Sequence, residues 1–204
     1  TISTRRVNTL TVILDDDTLE TIEGSARVQP TRVRVFGQWA TGTEIFYADV
    51  TSAVEDRIIL PEGFLLTDGA LIPTSVTAGL HSVTLVGTDG SIAASTEFTV
   101  SSESVALEGL QVKAVCSIDA VLDAEQRTYT LTVDSSPVPN APCALQTHAW
   151  FTDGHSAVIP VSMGVEHASN GAAQISHGVA IVSDGQAVSI TSSWLGAITT
   201  TTLE

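Results

Sequence analysis

Residues His81–Val100, HSVTLVGTDGSIAASTEFTV, give the clearest indication of the fold. Its two runs of alternating apolar and polar residues flank Asp89-Gly90, a dipeptide that adopts the positive φ angles of a tight hairpin turn at low cost. A two-residue turn here predicts the cross-strand pairs Thr88–Ser91, Leu85–Ala94, Val83–Thr96 and His81–Phe98. The apolar residues that then share one face, as a half-buried hairpin requires, are Val83, Leu85, Ala94, Phe98 and Val100.

Similar turn dipeptides separate other strand-like runs: Asp68-Gly69, Asp153-Gly154, Asn170-Gly171 and Asp184-Gly185. A two-residue turn at Asp184-Gly185 pairs Ile181 with Val188 and Val179 with Ile190, and the apolar face continues to Trp194. Further strands are predicted over residues 7–14, 31–36, 109–118 and 128–133. Together these patterns predict an antiparallel all-β protein.

Chain length favours two domains. The 204 residues exceed one sandwich domain of about 100 residues. The short polar stretch Ser101–Ser104 follows a predicted strand and precedes renewed apolar patterning, which is typical of a linker. We therefore expect one domain over residues 1–101 and a second over residues 102–204. No sequence repeat relates the two halves.

Residues 30–100 carry motifs of a known family. They include Pro30 near the first core strand, Gly37 at the end of that strand, the strand entry Gly79-Leu80-His81, and the turn 87–90 before Phe98-Thr99-Val100. With these motifs the segment resembles bacterial and phage immunoglobulin-like modules. The resemblance implies an immunoglobulin-like β-sandwich for this segment, and together with the chain length it predicts two tandem antiparallel immunoglobulin-like β-sandwich domains. It also implies a place in surface proteins, adhesins or phage tail, fibre and capsid proteins, as spacers, decorations or binding surfaces.

The only cysteines are Cys116 and Cys143. An even count is compatible with one disulfide, worth about 3–4 kcal/mol by the chain-entropy estimate, and two buried thiols are the alternative. A disulfide would indicate an oxidising compartment. The two cysteines lie too close in sequence for the antibody bridge, and Trp150 follows both of them, so the topology of the second domain stays open.

The chain is strongly acidic, with 23 acidic and 8 basic residues and a net charge of −15. This charge repels phosphate backbones and argues against nucleic acid as a partner. No apolar run is long enough for membrane insertion by a helix. Asp15-Asp16-Asp17, with Glu20 and Glu23 nearby, is a candidate Ca²⁺ site, although its spacing is not that of an EF-hand loop, and a solvated acidic turn is the alternative. No other cofactor is predicted.

Histidines are concentrated in the second half: His148, His155, His167 and His177. They suggest a Zn²⁺ site or a catalytic base, but hairpin register opposes it. A turn at Asn170-Gly171 puts His167 and His177 on opposite faces, and a turn at Asp153-Gly154 puts His148 opposite Ile159. Motifs for a serine nucleophile, a phosphate loop or a zinc protease are missing from the sequence. We therefore expect no enzyme activity.

Aromatic residues are few, so most of them are needed in the cores. They are Trp39, Phe46, Tyr47, Trp150, Phe151 and Trp194. An exposed aromatic ring can stack on the apolar face of a sugar. Trp39, which lies between Gly37 and Gly42, is the best exposed candidate for a ligand contact, together with Tyr47.

These observations predict a non-catalytic structural or interaction module of a cell-surface or virion assembly, such as a filament, tail, fibre or decoration subunit, with an extracellular, cell-surface or virion location. The β-branched runs Val7–Leu14 and Ile190–Thr202 favour self-association, or pairing with other subunits, through strand edges. An adhesin or carbohydrate-binding module with a glycan partner is the main alternative. A β-rich hydrolase or metal enzyme that uses the histidines is a third hypothesis.

Overall fold

The structure is a computed structural model that describes residues 9–41, 44–67, 69–75, 77–123, 128–134, 142–171, 173–182 and 187–203. For residues 40–41, 44–46, 117–123 and 128–134 it describes the backbone alone. Strands dominate the chain, so the prediction of an all-β protein is confirmed. The chain divides into two compact units, residues 1–107 (unit 1) and 108–204 (unit 2).

Unit 1 consists mainly of strands. They are β1 (Thr9–Leu14), β2 (Thr18–Ile22), β3 (Thr31–Thr41), β4 (Glu44–Asp49), β5 (Ile58–Ile59), β6 (Phe64–Thr67), β7 (Ala70–Pro73), β8 (Gly79–Val86) and β9 (Ile92–Val105). The short helix α1 (Thr51–Val54) and a 3-10 helix (Glu55–Arg57) lie between β4 and β5.

The described strands of unit 1 form two sheets. One has the order β1-β3-β7-β6, with β4 also paired to β3, and the other has the order β2-β9-β8-β5. The strand β2 runs parallel to β9, and the remaining pairs are antiparallel. The core lies between the sheets, because alternating strand residues from both of them are buried in one cluster: Val33, Val35, Leu71, Val83, Leu85 and Phe98. Each such side chain contributes about 1.5–3 kcal/mol by leaving water.

The β8–β9 hairpin follows the predicted register over most of its length. Leu85 pairs with Ala94, Val83 with Thr96 and His81 with Phe98, and the predicted apolar face lies in the core. The predicted Thr88–Ser91 pair is wrong, because the turn is longer than two residues. A side chain within the turn explains the extra length, because Asp89 Oδ1 accepts hydrogen bonds from Ser91 N and Oγ. A register shift after Leu85 accommodates the wider loop.

The predicted linker Ser101–Ser104 is wrong. These residues belong to β9, which continues to Val105 beside β2, where Thr21 pairs with Ser104 and Ile22 with Val105. The backbone groups of this polar stretch pair with the parallel strand β2. Polar composition alone therefore did not distinguish a strand from a linker. The two units meet in sequence between Leu107 and Glu108.

Unit 2 also consists mainly of strands. They are β10 (Leu107–Val115), β11 (Ser117–Asp123), β12 (Thr128–Asp134), β13 (Pro142–Phe151), β14 (Ser156–Ile159), β15 (Glu166–Ser169), β16 (Ala173–Ser176), β17 (Val179–Val182), β18 (Val188–Trp194) and β19 (Ala197–Leu203). A 3-10 helix (Val161–Met163) lies between β14 and β15. The first residue of β10 is the last residue of unit 1.

The described strands of unit 2 form two larger sheets and a separate hairpin. One sheet has the order β10-β13-β17-β16, with β14 also paired to β13; the other has the order β15-β18-β19; and β11 pairs with β12. Residues of both larger sheets share a buried cluster: Val112, Ala114, Leu145, Ala180, Val182, Val188, Ile190 and Leu203. Unit 2 is therefore two sheets packed around a core. Trp194 is also buried, and its Nε1 donates to the backbone oxygen of Met163 at 3.0 Å.

The predicted hairpin between residues 179 and 190 is wrong, because β17 and β18 belong to different sheets. Val188 and Ile190 are buried as expected, but β17 buries Ala180 and Val182, while Ile181 is 38% exposed. The chain crosses from one sheet to the other between the two strands. Both strands then face one core, so their apolar patterns imitate those of a hairpin. The residues Asp184-Gly185 lie outside the described part of the chain, as does Asp68.

The turn at Asn170-Gly171 also connects different sheets, because β15 pairs with β18 whereas β16 pairs with β17. Among the described residues of unit 2, tight two-residue turns lie instead at His177-Gly178 and Leu195-Gly196. Both residues of each turn have positive φ: 49° for His177 and 76° for Gly178, and 50° for Leu195 and 83° for Gly196. This is the geometry of a type I′ turn. Histidine and leucine rarely adopt it, so the sequence did not indicate these hairpins.

The two units repeat one topology. The sheet that contains the first strand reads β1-β3-β7-β6 in unit 1 and β10-β13-β17-β16 in unit 2, and the other sheet contains β9-β8-β5 and β19-β18-β15. In each unit the additional strand, β4 or β14, precedes a short helix. The units differ in the segment after the first strand, which forms β2 in unit 1 and the β11–β12 hairpin in unit 2. The repeat is one of topology and is not visible in the sequence.

Candidate functional site

The two cysteines form a disulfide between neighbouring strands of one sheet. Cys116 follows β10, and Cys143 lies in β13, beside it. Cys143 is fully buried, whereas Cys116 is partly buried. The loop that the bridge closes contains the β11–β12 hairpin. The disulfide therefore fixes the base of that hairpin to the sheet.

Backbone register gives the β11–β12 hairpin two chemically different faces. Three cross-strand pairs on one face consist of apolar or aromatic residues: Ile118–Val133, Ala120–Leu131 and Leu122–Tyr129. The pairs on the other face are mostly polar: Ser117–Asp134, Asp119–Thr132, Val121–Thr130 and Asp123–Thr128. The hairpin is thus amphipathic by register.

The three consecutive aspartates do not act together. Arg34 takes up the Asp15 carboxylate with two hydrogen bonds, from Nε to Oδ1 at 2.8 Å and from Nη2 to Oδ2 at 3.2 Å. Asp16 Oδ1 accepts the backbone N–H of Thr18, and Asp17 Oδ1 accepts the hydroxyl of Thr18. The structure therefore does not assemble the predicted Ca²⁺ site from Asp15, Asp16 and Asp17. Within the described ranges, no group of three or more acidic, histidine or cysteine residues is placed to hold a metal ion.

Arg34 also links two strands through charge. Its Nη1 lies 3.8 Å from Asp49 Oδ2. The hydrogen bond to Asp15 raises the pKa of Arg34, against the opposing effect of partial burial. Burial also opposes ionisation of Asp49, but hydrogen bonds from Thr51 and the positive charge of Arg34 together lower its pKa. These side chains are partly exposed, so the cluster is a surface ion pair between β3 and its neighbours that adds little to stability.

The predicted ligand contacts Trp39 and Tyr47 lie on opposite faces of one sheet. Gln38 pairs with Tyr47, and Trp39 pairs with the next residue along, Phe46. Residues directly opposite each other share a face, so Trp39 and Tyr47 cannot form one stacking platform. The Trp39 ring lies over Gly37, where an added Cβ would stand 2.9 Å from Cη2. Tyr47 is 67% exposed on the other face. Gly42 lies outside the described residues.

Trp150 offers the more accessible tryptophan surface in unit 2. It is 37% exposed, whereas Phe151 and Trp194 are buried. Alternation along β13 places Trp150 and His148 on the face that points away from the core. Gly109 of β10 flanks the ring on one side, with 4.0 Å between Cε3 and the position of an added Cβ, and Ser156 of β14 pairs with Trp150 on the other. Small neighbours on both sides leave the indole edges uncovered.

The histidines of unit 2 occupy separate places. His148 pairs with Val158, one residue from the predicted partner Ile159, because the turn at Asp153-Gly154 contains three residues and Phe151 N bonds to His155 O. The His155 ring stacks on Phe151 at a centroid distance of 5.9 Å. His177 forms a tight turn and bonds to Ser176. The histidine metal site is therefore not assembled by the described residues.

One histidine contacts a serine. His167 Nδ1 lies 2.6 Å from Ser192 Oγ, across the β15–β18 ladder. Ser192 is fully buried, so its hydroxyl is closed to a substrate in this conformation. Burial lowers the pKa of His167. His167 is therefore a hydrogen-bond partner of Ser192 within the sandwich.

The last strands of the two units differ at their outer edges. In unit 1, β2 pairs with β9 over Thr18–Ile22 and covers that edge. In unit 2, the corresponding strand β19 ends its sheet, which has the order β15-β18-β19 among the described residues. Within the described part of the chain, no strand pairs with the side of β19 that faces away from β18. An end strand of this kind is a template for pairing with a further chain.

No family model matches the chain, and no curated protein sequence matches it. In the described segments, no helix has the length and apolar character needed to cross a membrane.

Proposed function

We propose that the protein is a non-catalytic structural or interaction module of a cell-surface or virion assembly, such as a filament, tail, fibre or decoration subunit. The chain comprises two tandem immunoglobulin-like domains, which correspond to units 1 and 2. Neighbouring subunits associate through the edges of their sheets. The observation that carries the proposal is the unpaired edge of β19 in the described part of unit 2.

Strand order supports immunoglobulin-like domains. In a constant-type immunoglobulin sandwich, strands A-B-E-D form one sheet and strands C-F-G form the other. When β14 and the β11–β12 hairpin are left out, β10-β13-β17-β16 corresponds to A-B-E-D and β15-β18-β19 corresponds to C-F-G. Unit 1 has the same order with β2 added. The disulfide differs from the antibody bridge between sheets, because it joins neighbouring strands of a single sheet.

An extracellular, cell-surface or virion location is part of the proposal. The Cys116–Cys143 disulfide supports it, because disulfides persist in oxidising environments. The strong negative charge supports solubility and opposes contacts with nucleic acid. The dispersed histidines and the closed Ser192 hydroxyl support a role that needs no catalysis.

Light scattering of the purified chain over a concentration series tests this function, with electron microscopy of the same samples. The proposal predicts defined oligomers or filaments whose mass rises with concentration. The masses should be equal with and without Ca²⁺, because the aspartates are engaged separately. A monomer at every concentration, with no assembly visible by microscopy, would contradict the proposal.

A second candidate function is carbohydrate binding, and the exposed indole of Trp150 favours it. A tryptophan on an open sheet face presents an apolar ring to a sugar, and Lys113, which is close enough to His148 to lower its pKa, adds a charged group to the same surface. A glycan array tests this candidate, with Trp150→Ala and the matched variant Tyr47→Ala in unit 1. Binding that is lost with the first variant and kept with the second supports it. The absence of any signal above background excludes the array glycans as ligands of this face.

A further inference from the structure

The edge strand β19 has features that favour strand pairing. Its sequence AITTTTL contains no charged residue and no proline. Its register with β18 is continuous from Trp194–Ala197 to Val188–Leu203, without a bulge. Charges, prolines and bulges are the usual devices that protect an edge strand, and β19 has none of them.

The topological repeat provides a precedent for a covered edge. The strand of unit 1 that corresponds to β19 is β9, and β2 pairs with the outer edge of β9. In unit 2, the segment after the first strand forms the β11–β12 hairpin instead of a strand beside β19. The same fold therefore accepts a strand at this position in one unit and leaves the position open, among the described residues, in the other.

The turn geometry identifies which backbone groups face outward. In a hairpin with a two-residue turn, the two flanking residues exchange backbone hydrogen bonds, and bonded pairs then alternate along the ladder. The flanking residues here are Trp194 and Ala197. The backbone N–H and C=O groups of Thr199 and Thr201 therefore bond to β18. The N–H and C=O groups that point away from β18 belong to Ile198, Thr200 and Thr202.

We propose that β19 pairs antiparallel with β19 of a second copy of this chain, about a two-fold axis at Thr200. This inference rests on the proposed function and names its contact. Thr200 pairs with itself across the axis, and Ile198 pairs with Thr202 of the second copy. All of these residues have outward backbone groups, so the register is self-complementary. Ile198, which is 70% exposed in the single chain, gains a neighbour on the outer face.

Charge favours a second copy at this edge. Two chains that each carry −15 repel one another, so they approach best where no charge is present. The outer face next to β19 is also uncharged, because the β18 residues that pair with the outward ones are Ser189, Thr191 and Ser193. By contrast, the opposite end strand of the same sheet, β15, carries Glu166. The β19 edge thus permits contact between acidic copies without opposed carboxylates.

Light scattering of the full chain and of two variants at Thr200 tests the contact. Thr200→Pro removes an outward N–H that β18 does not use, and Thr200→Val keeps it. We expect the wild type and Thr200→Val to form dimers, and Thr200→Pro to raise the dissociation constant about tenfold or more. Association that is unchanged in Thr200→Pro overturns the edge contact but leaves the proposed function standing. A wild type that stays monomeric overturns both.

A second pair of variants tests the same contact without changing the backbone. Thr200→Lys places like charges opposite each other at the axis, whereas Thr191→Lys places the same charge on the same face, one strand inward. We expect dimerisation to weaken in the first variant and to be retained in the second. Equal weakening in both variants overturns the proposal, because it would indicate association through the face of the sheet.

Discussion

Replacement of Phe98 by alanine is expected to destabilise unit 1 by about 4 kcal/mol. Phe98 is buried, its ring meets Phe64 edge-on at a centroid distance of 5.1 Å, and it stacks on His81 at 5.5 Å. Truncation of a core phenylalanine to alanine costs about 3–5 kcal/mol, to which aromatic pairs contribute about 0.5–1.5 kcal/mol. The two ring contacts put Phe98→Ala in the middle of that range.

Urea unfolding followed by pulsed hydrogen exchange provides the assay, because it reports peptides of the two units separately. The control is Ile92→Ala in the same strand. Ile92 is 73% exposed, so its truncation should change stability by no more than about 0.5 kcal/mol. A loss below about 1 kcal/mol for Phe98→Ala, or equal losses for both variants, would refute the assignment of the core face.

Three further changes test unit 2. Serine at both Cys116 and Cys143 should lower its free energy of unfolding by about 3–4 kcal/mol, because the disulfide closes a long loop. Burial lowers the pKa of His148 and His167 below 6.5, so the unfolded chain binds more protons. Stability should therefore be complete above pH 6.5 and fall below it, and glutamine at both positions should flatten this dependence. Gly178→Ala should cost about 1–3 kcal/mol, since φ there is 76° and the new Cβ would stand 2.8 Å from a Val161 methyl group.

The same urea assay and thermal melts on either side of pH 6.5 check these outcomes. Unchanged unfolding of unit 2 in the double serine variant would contradict the stabilising role of the bridge. Stability that rises as the pH falls would reverse the sign expected for the two histidines. For Gly178→Ala, the matched control is alanine at Gly109, which has ordinary space around it. Equal effects of the two alanines would contradict the strained turn.

Local patterns in the sequence predicted local structure well. The β8–β9 hairpin was predictable because its strands are adjacent in sequence and in one sheet, so alternation and turn position together fix the register. The pairs from Leu85–Ala94 to His81–Phe98 are therefore correct. The length of the turn was not predicted correctly, because the Asp89 side chain stabilises a wider loop than the dipeptide suggests.

Connections between sheets could not be predicted from alternation. A strand on either side of a sandwich buries every second residue, whether its neighbour in sequence pairs with it or packs across the core. The segment between β17 and β18 therefore gave the pattern of a hairpin. The linker prediction at Ser101–Ser104 was wrong for a related reason, because a polar strand gains its partners from β2, which is distant in sequence.

The candidate sites depended on geometry that the sequence does not contain. Proximity in sequence suggested that Asp15–Asp17 act together, but Arg34 takes one of the three carboxylates. Trp39 and Tyr47 are close in sequence, yet their register places them on opposite faces. Alternation along β13 was the signal that could have placed Trp150 on an outer face. The open edge of β19 became visible only when the strand orders of the two units were compared.

Hydrogen exchange at the last strand of each unit, measured on dilute protein, tests whether the two strands differ at their outer edges. The claim is that β2 covers β9 while β19 is left open for a partner. It predicts slow exchange for the β9 amides that bond to β2 and fast exchange for Ile198, Thr200 and Thr202, which should slow as the concentration rises. Slow exchange of these three amides in the dilute monomer would contradict the claim, because a strand of the same chain would then cover the edge.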